Sequence, residues 1–443
     1  MRRFRIGGLA GSGVLVLLAL MPAPGPRPLE LAAPAQTVQL GVVPAQGGSS
    51  LVRLDPVSLE RSGRPLGLNG YGGVWTFSPD RRFLALAVRR YAEGYEDTLR
   101  FFTTAGPGRL RRGVSLGGAA AALVWVRSDR ILAYVDRCCG DPGVSVLAID
   151  PGARRVIART QIDGSVLQIA RGQESLVLLA AEPNRIGPSR LIVVDAQGSS
   201  RSARLDGISA GTTWPDQTTT EPIGTRLIPG LTVDPAGNRA FVLAPDGGAV
   251  EVDLGSLAVS FHRLVEPRAL LDRVAAWLTP PAEAKGMSGP RLTARWLGDG
   301  LLALAGSDES AVQEGGRLRV SAWPLGLRIV DTRDWTVRML DPGADAIAVA
   351  DGLLLATGSS WSSESEAQTG MGVAVYGADR TRRFHLLPGQ AVWIGFVYRG
   401  RAYVSLAGES ALRIFDLASG RIVGSRSAES PWPLLGDSSV FFS

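Results

Sequence analysis

One pattern recurs about eight times along this chain and limits what it can fold into. An apolar, β-type run ends in Asp, a turn follows and a second run returns. A third run comes after a connection, then a Gly/Asp/Ser turn and a fourth apolar run. The first copy reads LVRLD (51–55), RSGRPLGL (61–68), GVWTFSPD (73–80) and RFLALAV (82–88). The last reads ALRIFD (411–416), RIVGS (421–425), PLLGD (433–437) and SVFFS (439–443). First-run ends align at Asp55, Thr103, Asp150, Asp195, Asp253, Asp331, Gly377 and Asp416. Uninterrupted copies are about 45–48 residues long, a period that indicates a repeat architecture. Trp75, Trp125, Trp296 and Trp393 recur in the third run.

Runs such as RFLALAV and LVLLAA are apolar at successive positions, so both faces of a sheet built from them need cover. They are short and bounded by Gly and Asp turns, which argues for strands and against helices. Radial stacking of small antiparallel sheets covers both faces and leaves only short edges. The fold expected is therefore all-β: a β-propeller of about eight, alternatively seven, four-stranded antiparallel blades with a short helical insertion. It forms a single domain over 37–443, with insertions at 207–228 and 266–290. The helix is expected in EPRALLDRVAAWLTPP (266–281), where Leu270, Leu271, Val274, Trp277 and Leu278 share a face. Its start has Pro267 and its end Pro280-Pro281. TVQLGVV (37–43) is expected to add a strand to the last blade and close the ring.

Units such as SPDRRFLALAV and RIFDLASGRIVG resemble the WD-repeat-related and YVTN-type repeats of bacterial extracytoplasmic propellers. The resemblance spans nearly all of 37–443 and implies the fold, not an activity, because propellers host many unrelated functions. The chain departs from the pattern in lacking a Gly-His…Trp-Asp signature and in replacing the Asp at Thr103 and Gly377.

The N-terminus reads as an export leader over residues 1–35. Arg2, Arg3 and Arg5 precede the apolar stretch GSGVLVLLALM (11–21), which is short for a spanning helix. The best small-residue cleavage site, Ala33-Pro34-Ala35, lies far from that stretch, so an uncleaved anchor stays open. The expected location is secreted, periplasmic or cell-surface. Arg2, Arg3, Arg5 and Arg27 against Glu30 also supply half of the net charge of +6. The remaining charge is scattered, with no run of four like charges, which argues against nucleic acid as a partner. Membrane contact is expected only through the leader. Cys138 and Cys139 are the sole cysteines of a chain read as exported, so a vicinal disulfide stands against free thiols or intermolecular bonds.

Catalytic signals are weak. Gly207-Ile208-Ser209-Ala210-Gly211 fits the G-x-S-x-G pattern, but a nucleophile elbow needs a following helix, and TTWPDQTTTEP is not one. These residues read instead as a loop. His262 and His385 fall in second runs of non-adjacent units, where surface positions are expected. No Asp-rich calcium loop, P-loop or dinucleotide fingerprint is present. No catalytic residue, metal ligand or cofactor is assigned. The leading function is a non-catalytic binding or scaffold propeller; the alternative is a propeller enzyme of quinoprotein-like or lactonase-like type.

Strand parity locates the working face. In an up-down meander, alternate connections share a face. The connections expected to be short throughout (SPDR, RSDR, DPAGN, DLASG) fall on one face. The long segments 91–97, 137–143, 207–228, 266–290, 307–316 and 359–370 fall on the other. Loops on a rigid scaffold are where binding concentrates. The candidate binding residues are Trp214, Asp216, Trp277 and Trp361, flanked by the Cys138–Cys139 loop. The expected partner is a protein or small-molecule ligand, and segments 207–228 and 266–290 should be neighbours.

Overall fold

A computed structural model describes residues 39–55, 58, 60–90, 96–105, 113–136, 144–214, 224–234, 236, 238–265, 287–314, 317–363, 368–409, 411–427 and 441–442. These belong to one compact unit, Val38–Ser443. They form strands without a helix, joined almost throughout by antiparallel pairing. The helix expected at 266–281, the leader and Cys138–Cys139 lie outside the described residues.

The strands group into successive meanders. Blade 2 comprises Tyr71–Phe77, Phe83–Arg89, Asp97–Thr103 and Val114–Ser115. Blade 3 comprises Ala119–Arg127, Arg130–Asp136, Val144–Asp150 and Arg155–Ile162. Blade 4 follows with Ser165–Arg171, Ser175–Ala181, Ile186–Asp195 and Ser200–Thr213, and blade 5 with Gly230–Val233, Arg239–Leu243, Gly248–Asp253 and Val259–Arg263. Blade 6 uses Met287–Gly298, Leu301–Glu314, Leu327–Asp331 and Val337–Asp341; blade 7 uses Ala346–Ala350, Leu353–Ser362, Gln368–Tyr376 and Arg382–Leu386. Blade 8 is Val392–Tyr398, Arg401–Leu406, Ala411–Asp416 and Ile422–Ser427. Blade 1 shows three strands among the described residues, Gln39–Ala45, Gly48–Leu54 and Arg61–Gly67. The first strand is the inner edge of blades 2 to 7, and first strands touch between blades 2 and 3, 4 and 5, 5 and 6, and 6 and 7; in blade 8 Phe441–Phe442 pairs inside the first strand and touches that of blade 7. Trp125 N, for instance, donates to Thr76 Oγ1 at 3.3 Å between blades 3 and 2.

Two expectations need correction. The repeat read from the sequence starts at the third strand of one blade and ends at the second strand of the next, so its phase is offset by one hairpin. Gln39–Ala45 does not join the last blade: it pairs with Gly48–Leu54, Gln39 opposite Leu54 and Ala45 opposite Gly48. Phe441–Phe442 instead pairs with Gly395 and Phe396 of blade 8.

The core is a ring of separate interfaces. Side chains alternate across a strand, so successive residues serve different neighbours. Leu84, Leu86 and Val88 pack toward blade 1 with Leu40, Leu51 and Leu68. Ala85 and Ala87, between them in sequence, pack toward blade 3 with Leu123, Trp125 and Ile131. The same division repeats through the later blades. A final cluster joins Val43, Val52 and Leu54 of blade 1 to Phe396, Tyr398, Tyr403, Leu412 and Ile414 of blade 8. The ring is thus closed by packing.

The recurrent Asp and Trp have separate structural roles. Asp at the end of a third strand caps the turn that follows: Asp150 accepts from Ala153 N at 2.8 Å, Asp253 from Ser256 N at 2.7 Å and Asp416 from Ser419 N at 2.8 Å. Where Gly377 replaces it, Asp379 performs a similar task for Thr381 N at 3.1 Å. Trp125 is buried between blades 2 and 3, and Trp296 stacks on Phe241 with centroids 5.4 Å apart. Trp75 packs at the blade 1–2 interface. Trp393 lies on a strand, and its side chain is outside the described set.

The closing interface generates a test. Phe396 and Tyr403 stack with centroids 4.7 Å apart and both are fully buried. Phe396→Ala or Tyr403→Ala is expected to destabilise the fold by about 3–5 kcal/mol, the usual range for a buried aromatic truncated to Ala. Urea unfolding followed by circular dichroism measures the loss; a change under about 1 kcal/mol would contradict the burial of these rings in the cluster shared with blade 1.

Candidate functional site

Inner strands run toward one face and second strands return, so second-to-third and outer-to-inner connections share a face. The segments 90–96, 137–143, 214–229, 264–286 and 363–367 all connect strands there. The opposite face carries tight turns, with one exception: residues 104–113 of blade 2 make a long third-to-outer connection on the face expected to be short throughout.

The long-connection face is built largely from strand. Residues 207–211, read from the sequence as a loop, continue the outer strand of blade 4 (Ser200–Thr213), with Ile208 and Ala210 buried. That placement also removes the strand–turn–helix geometry a nucleophile elbow requires. The second strand of blade 6, Leu301–Glu314, is used twice. Its first half pairs with the third strand, Leu301 opposite Asp331. Its second half runs past the blade body and pairs with Arg317–Pro324, Ser307 opposite Pro324. Blade 7 extends in the same direction, with Trp361 opposite Gln368.

These extensions join edge to edge. Thr213 of blade 4 pairs with Thr225 in the strand Gly224–Leu227. That strand runs parallel to the start of blade 6, with Gly224 opposite Met287 and Thr225 opposite Ser288. A bridge between Ile228 and Arg291 continues the contact. Ser321 and Ala322 then pair with Ser362 and Trp361 of blade 7. A hydrogen-bonded collar therefore links blades 4, 6 and 7 above blade 5. The ends of the two inserted segments, 224–228 and 287–291, lie side by side. Gly289 permits the approach: its φ is +112°, and an added Cβ would run into the carbonyl oxygen of Arg226.

The collar's chemistry differs between its sides. On one side, Arg226 Nη2 meets Glu309 Oε1 at 2.8 Å, and the cross-strand partners Glu309–Ala322 and Ala322–Trp361 continue the row. On the other, Thr213, Thr225 and Ser288 are register neighbours, as are Ser310, Ser321 and Ser362. Trp214, Trp323 and Trp361 are 62%, 39% and 38% exposed. Trp214 directly follows the blade 4 extension, and its amide donates to Asn184 Oδ1. Trp323 and Trp361 stand on the blade 6 and blade 7 extensions. The structure thus brings Trp214 and Trp361 to one collar; Asp216 and Trp277 lie outside the described residues. Sequence reading missed Trp323 because SAWPLG follows a hairpin tip that resembles any other loop.

The two histidines do not contribute to this face as ligands. His262, on the outer strand of blade 5, is not a free surface residue: it stacks on Trp335 with centroids 4.1 Å apart. His385 shares a hydrogen bond with the Met371 carbonyl. Among the described residues no group of three or more His, Cys, Asp and Glu could hold a metal ion.

Two carboxyls beneath the collar have altered proton affinity. Burial pushes Asp308 up to about 6, against the opposing pull of Glu309 N and the Arg226 charge. Burial likewise pushes Asp345 up to about 6, although its Oδ2 accepts Ser359 N at 3.0 Å. The folded chain holds these protons more tightly than the unfolded chain. The associated stability is fully present below pH 3.8, the ordinary value, and is lost as pH rises through about 6. Asp308→Asn and Asp345→Asn are each expected to raise stability at pH 8 by about 1–3 kcal/mol, with the gain shrinking toward pH 4. Thermal melts across that range check this; a gain independent of pH would contradict it.

Comparison with known proteins gives no functional assignment. No family model matches the chain, and no curated protein matches it. Among solved structures, it is similar to the dihydro-heme d1 dehydrogenase NirN in complex with DHE, with 14% identity, 90% of this chain and 74% of that chain covered and a TM-score of 0.49. It is also similar to apo AztD from Citrobacter koseri, with 13% identity, 91% and 98% covered and a TM-score of 0.45. BamB from Moraxella catarrhalis gives 9% identity, 82% and 92% covered and a TM-score of 0.40. The propeller fold stands on the chain's own meanders and interface ring, independently of these likenesses.

Proposed function

We propose that this chain is a non-catalytic binding propeller of the WD-repeat-related, YVTN-like kind, working outside the cytoplasm and presenting its collar face to a ligand or protein partner. The observation that carries the reading is the set of exposed tryptophans, Trp214, Trp323 and Trp361, on hydrogen-bonded strand extensions. Large aromatics supply contact area with little rotamer entropy to lose, and a rigid frame lowers the ordering cost of binding. By register Trp361 shares its side of the collar with the Arg226–Glu309 pair, and Trp323 shares the other side with Ser321, so each has polar groups beside it.

A triple Trp214→Ala, Trp323→Ala, Trp361→Ala variant tests this. All three side chains are exposed, so the melting temperature should stay within a few degrees of wild type. Capture of proteins and small molecules from an envelope extract, compared by mass spectrometry, should lose the species specific to wild type. Identical captured sets would contradict the reading.

The same proposal makes residues 1–35 a leader and joins Cys138 to Cys139 in the exported protein. A periplasmic reporter fused after residue 40 should be active, and alkylation without reductant should label no cysteine. A reporter confined to the cytoplasm, or two labelled thiols, would contradict it.

A further inference from the structure

The described inner strands have a charge composition unlike the rest of the sequence. The seven described inner strands carry four arginines, Arg127, Arg171, Arg291 and Arg295, and no Asp or Glu. Arg127 is neutralised by Asp129 at 3.2 Å and Glu174 at 3.6 Å. Arg171 and Arg291 are exposed near opposite ends of their strands. Arg295 is different.

Backbone pairing fixes where the Arg295 guanidinium lies. Ile228 N donates to Pro290 O at 3.0 Å, and Leu292 N donates to Ile228 O at 2.8 Å. The polar groups of residues 290 and 292 therefore face away from the neighbouring strand Leu301–Glu314, onto the inner edge, which Ile228 occupies at that level. Alternation along a strand places those of Ala294 on the same edge. Gln168 Nε2 of blade 4 donates to Leu292 O at 3.0 Å on that edge. Arg295 Nη1 donates to Ala294 O at 3.0 Å, which draws the guanidinium round onto the inner edge as well. Gly230 keeps the inner strand of blade 5 close beside it: an added Cβ there would meet Ala294 Cβ at 3.1 Å.

Among the described residues no carboxylate pairs with Arg295, and its buried Nε has no hydrogen-bond partner. Some of its surface stays accessible, yet burial alone pulls its pKa down, the combination expected of a group lining an internal channel. A guanidinium remains protonated under such a shift, so a deep positive charge stands with most of its donors free. Leaving it uncompensated is costly. Of the carboxylates in the turns at the nearer mouth, Asp129 is engaged by Arg127 and Arg130, Asp234 by Arg239 and Asp351 by the Gly400 amide, while Asp299 is exposed and faces the charges of Arg333 and Arg380.

We propose that the central channel binds an oxyanion, the carboxylate or phosphate group of a small molecule, on the Arg295 guanidinium, with Gln168 nearby as a positioning residue. The ligand enters from the tight-turn face, because Arg295 lies just before the Gly298–Gly300 turn. The planar fork of Arg matches both groups in two-point contact. Inner strands that carry arginine and, among the described residues, no Asp or Glu also concentrate anions. The site is separate from the collar, so the triple tryptophan variant should retain it.

Isothermal calorimetry at constant ionic strength, in chloride buffer, tests this with inorganic phosphate and with succinate as probes. Wild type should bind at least one, and the preferred probe separates phosphoryl from carboxylate ligands. R295M should weaken binding by about tenfold or more, as loss of a charge-assisted bond predicts. It should also melt higher than wild type without oxyanion, because an uncompensated charge is gone. R295K, which keeps the charge but not the fork, should bind at an intermediate level and preserves the comparison if R295M does not fold. No heat from either probe up to about 10 mM, weaker than any specific site of this kind, would overturn the proposal. So would equal affinity in wild type and the variants.

Discussion

The whole structure depends on the fact that each blade is a sheet with two apolar faces. Leu84 and Leu86 serve one neighbour and Ala85 and Ala87 the other, so no blade can bury its surface alone. Full burial of a Leu side chain contributes about 1.5–3 kcal/mol, and every interface contains several such side chains. Stacking in a line would leave two open faces. The cluster joining Val52 and Leu54 to Phe396 and Ile414 removes both and makes the ends of the sequence neighbours.

Placing all hydrophobic contacts between blades frees the ends of the strands. On one face the chain spends this freedom on tight turns capped by Asp carboxylates. On the other it extends strands from blades 4, 6 and 7 until their edges meet. Exposed strand edges would invite association with other chains; pairing them into a collar satisfies the backbone and holds Trp214, Trp323 and Trp361 on a frame. The inner edge of the same strands serves a different purpose. There the carbonyls of Leu292 and Ala294 hold Gln168 and Arg295 in the channel. One ring thus carries exposed tryptophans and hydroxyls on its collar and, on its described inner strands, arginines without carboxylates.

Much of this was legible in the sequence, and the failures have physical causes. Doubly apolar runs and recurring turn residues specify a propeller, and strand parity puts all but one of the long connections on one face without any knowledge of the ring. The blade phase was not legible, because hairpins within a blade and crossings between blades use similarly short turns. Residues 207–211 read as a loop because Gly and Ser dominate, yet pairing of Ile186–Pro188 with Ser209–Gly211 holds them as strand. Trp214 and Trp361 could be picked out as aromatics in polar segments, whereas Trp323 required the register of the extended hairpin. Arg295 gave no signal at all. One Arg in LTARWLG looks like any solvated charge until the inner edge of its strand is known.

The central claim is that the working face is a hydrogen-bonded extension of the blades and not a set of loops. Peptide-resolved hydrogen exchange of the native protein tests it most directly. Amides of 224–228, 287–292, 307–314 and 317–324 should be protected to a degree comparable with the blade strands Leu301–Ala305 and Leu353–Thr357. Exchange of these extensions at the rate of unstructured loops, with the blade strands still protected, would contradict the account.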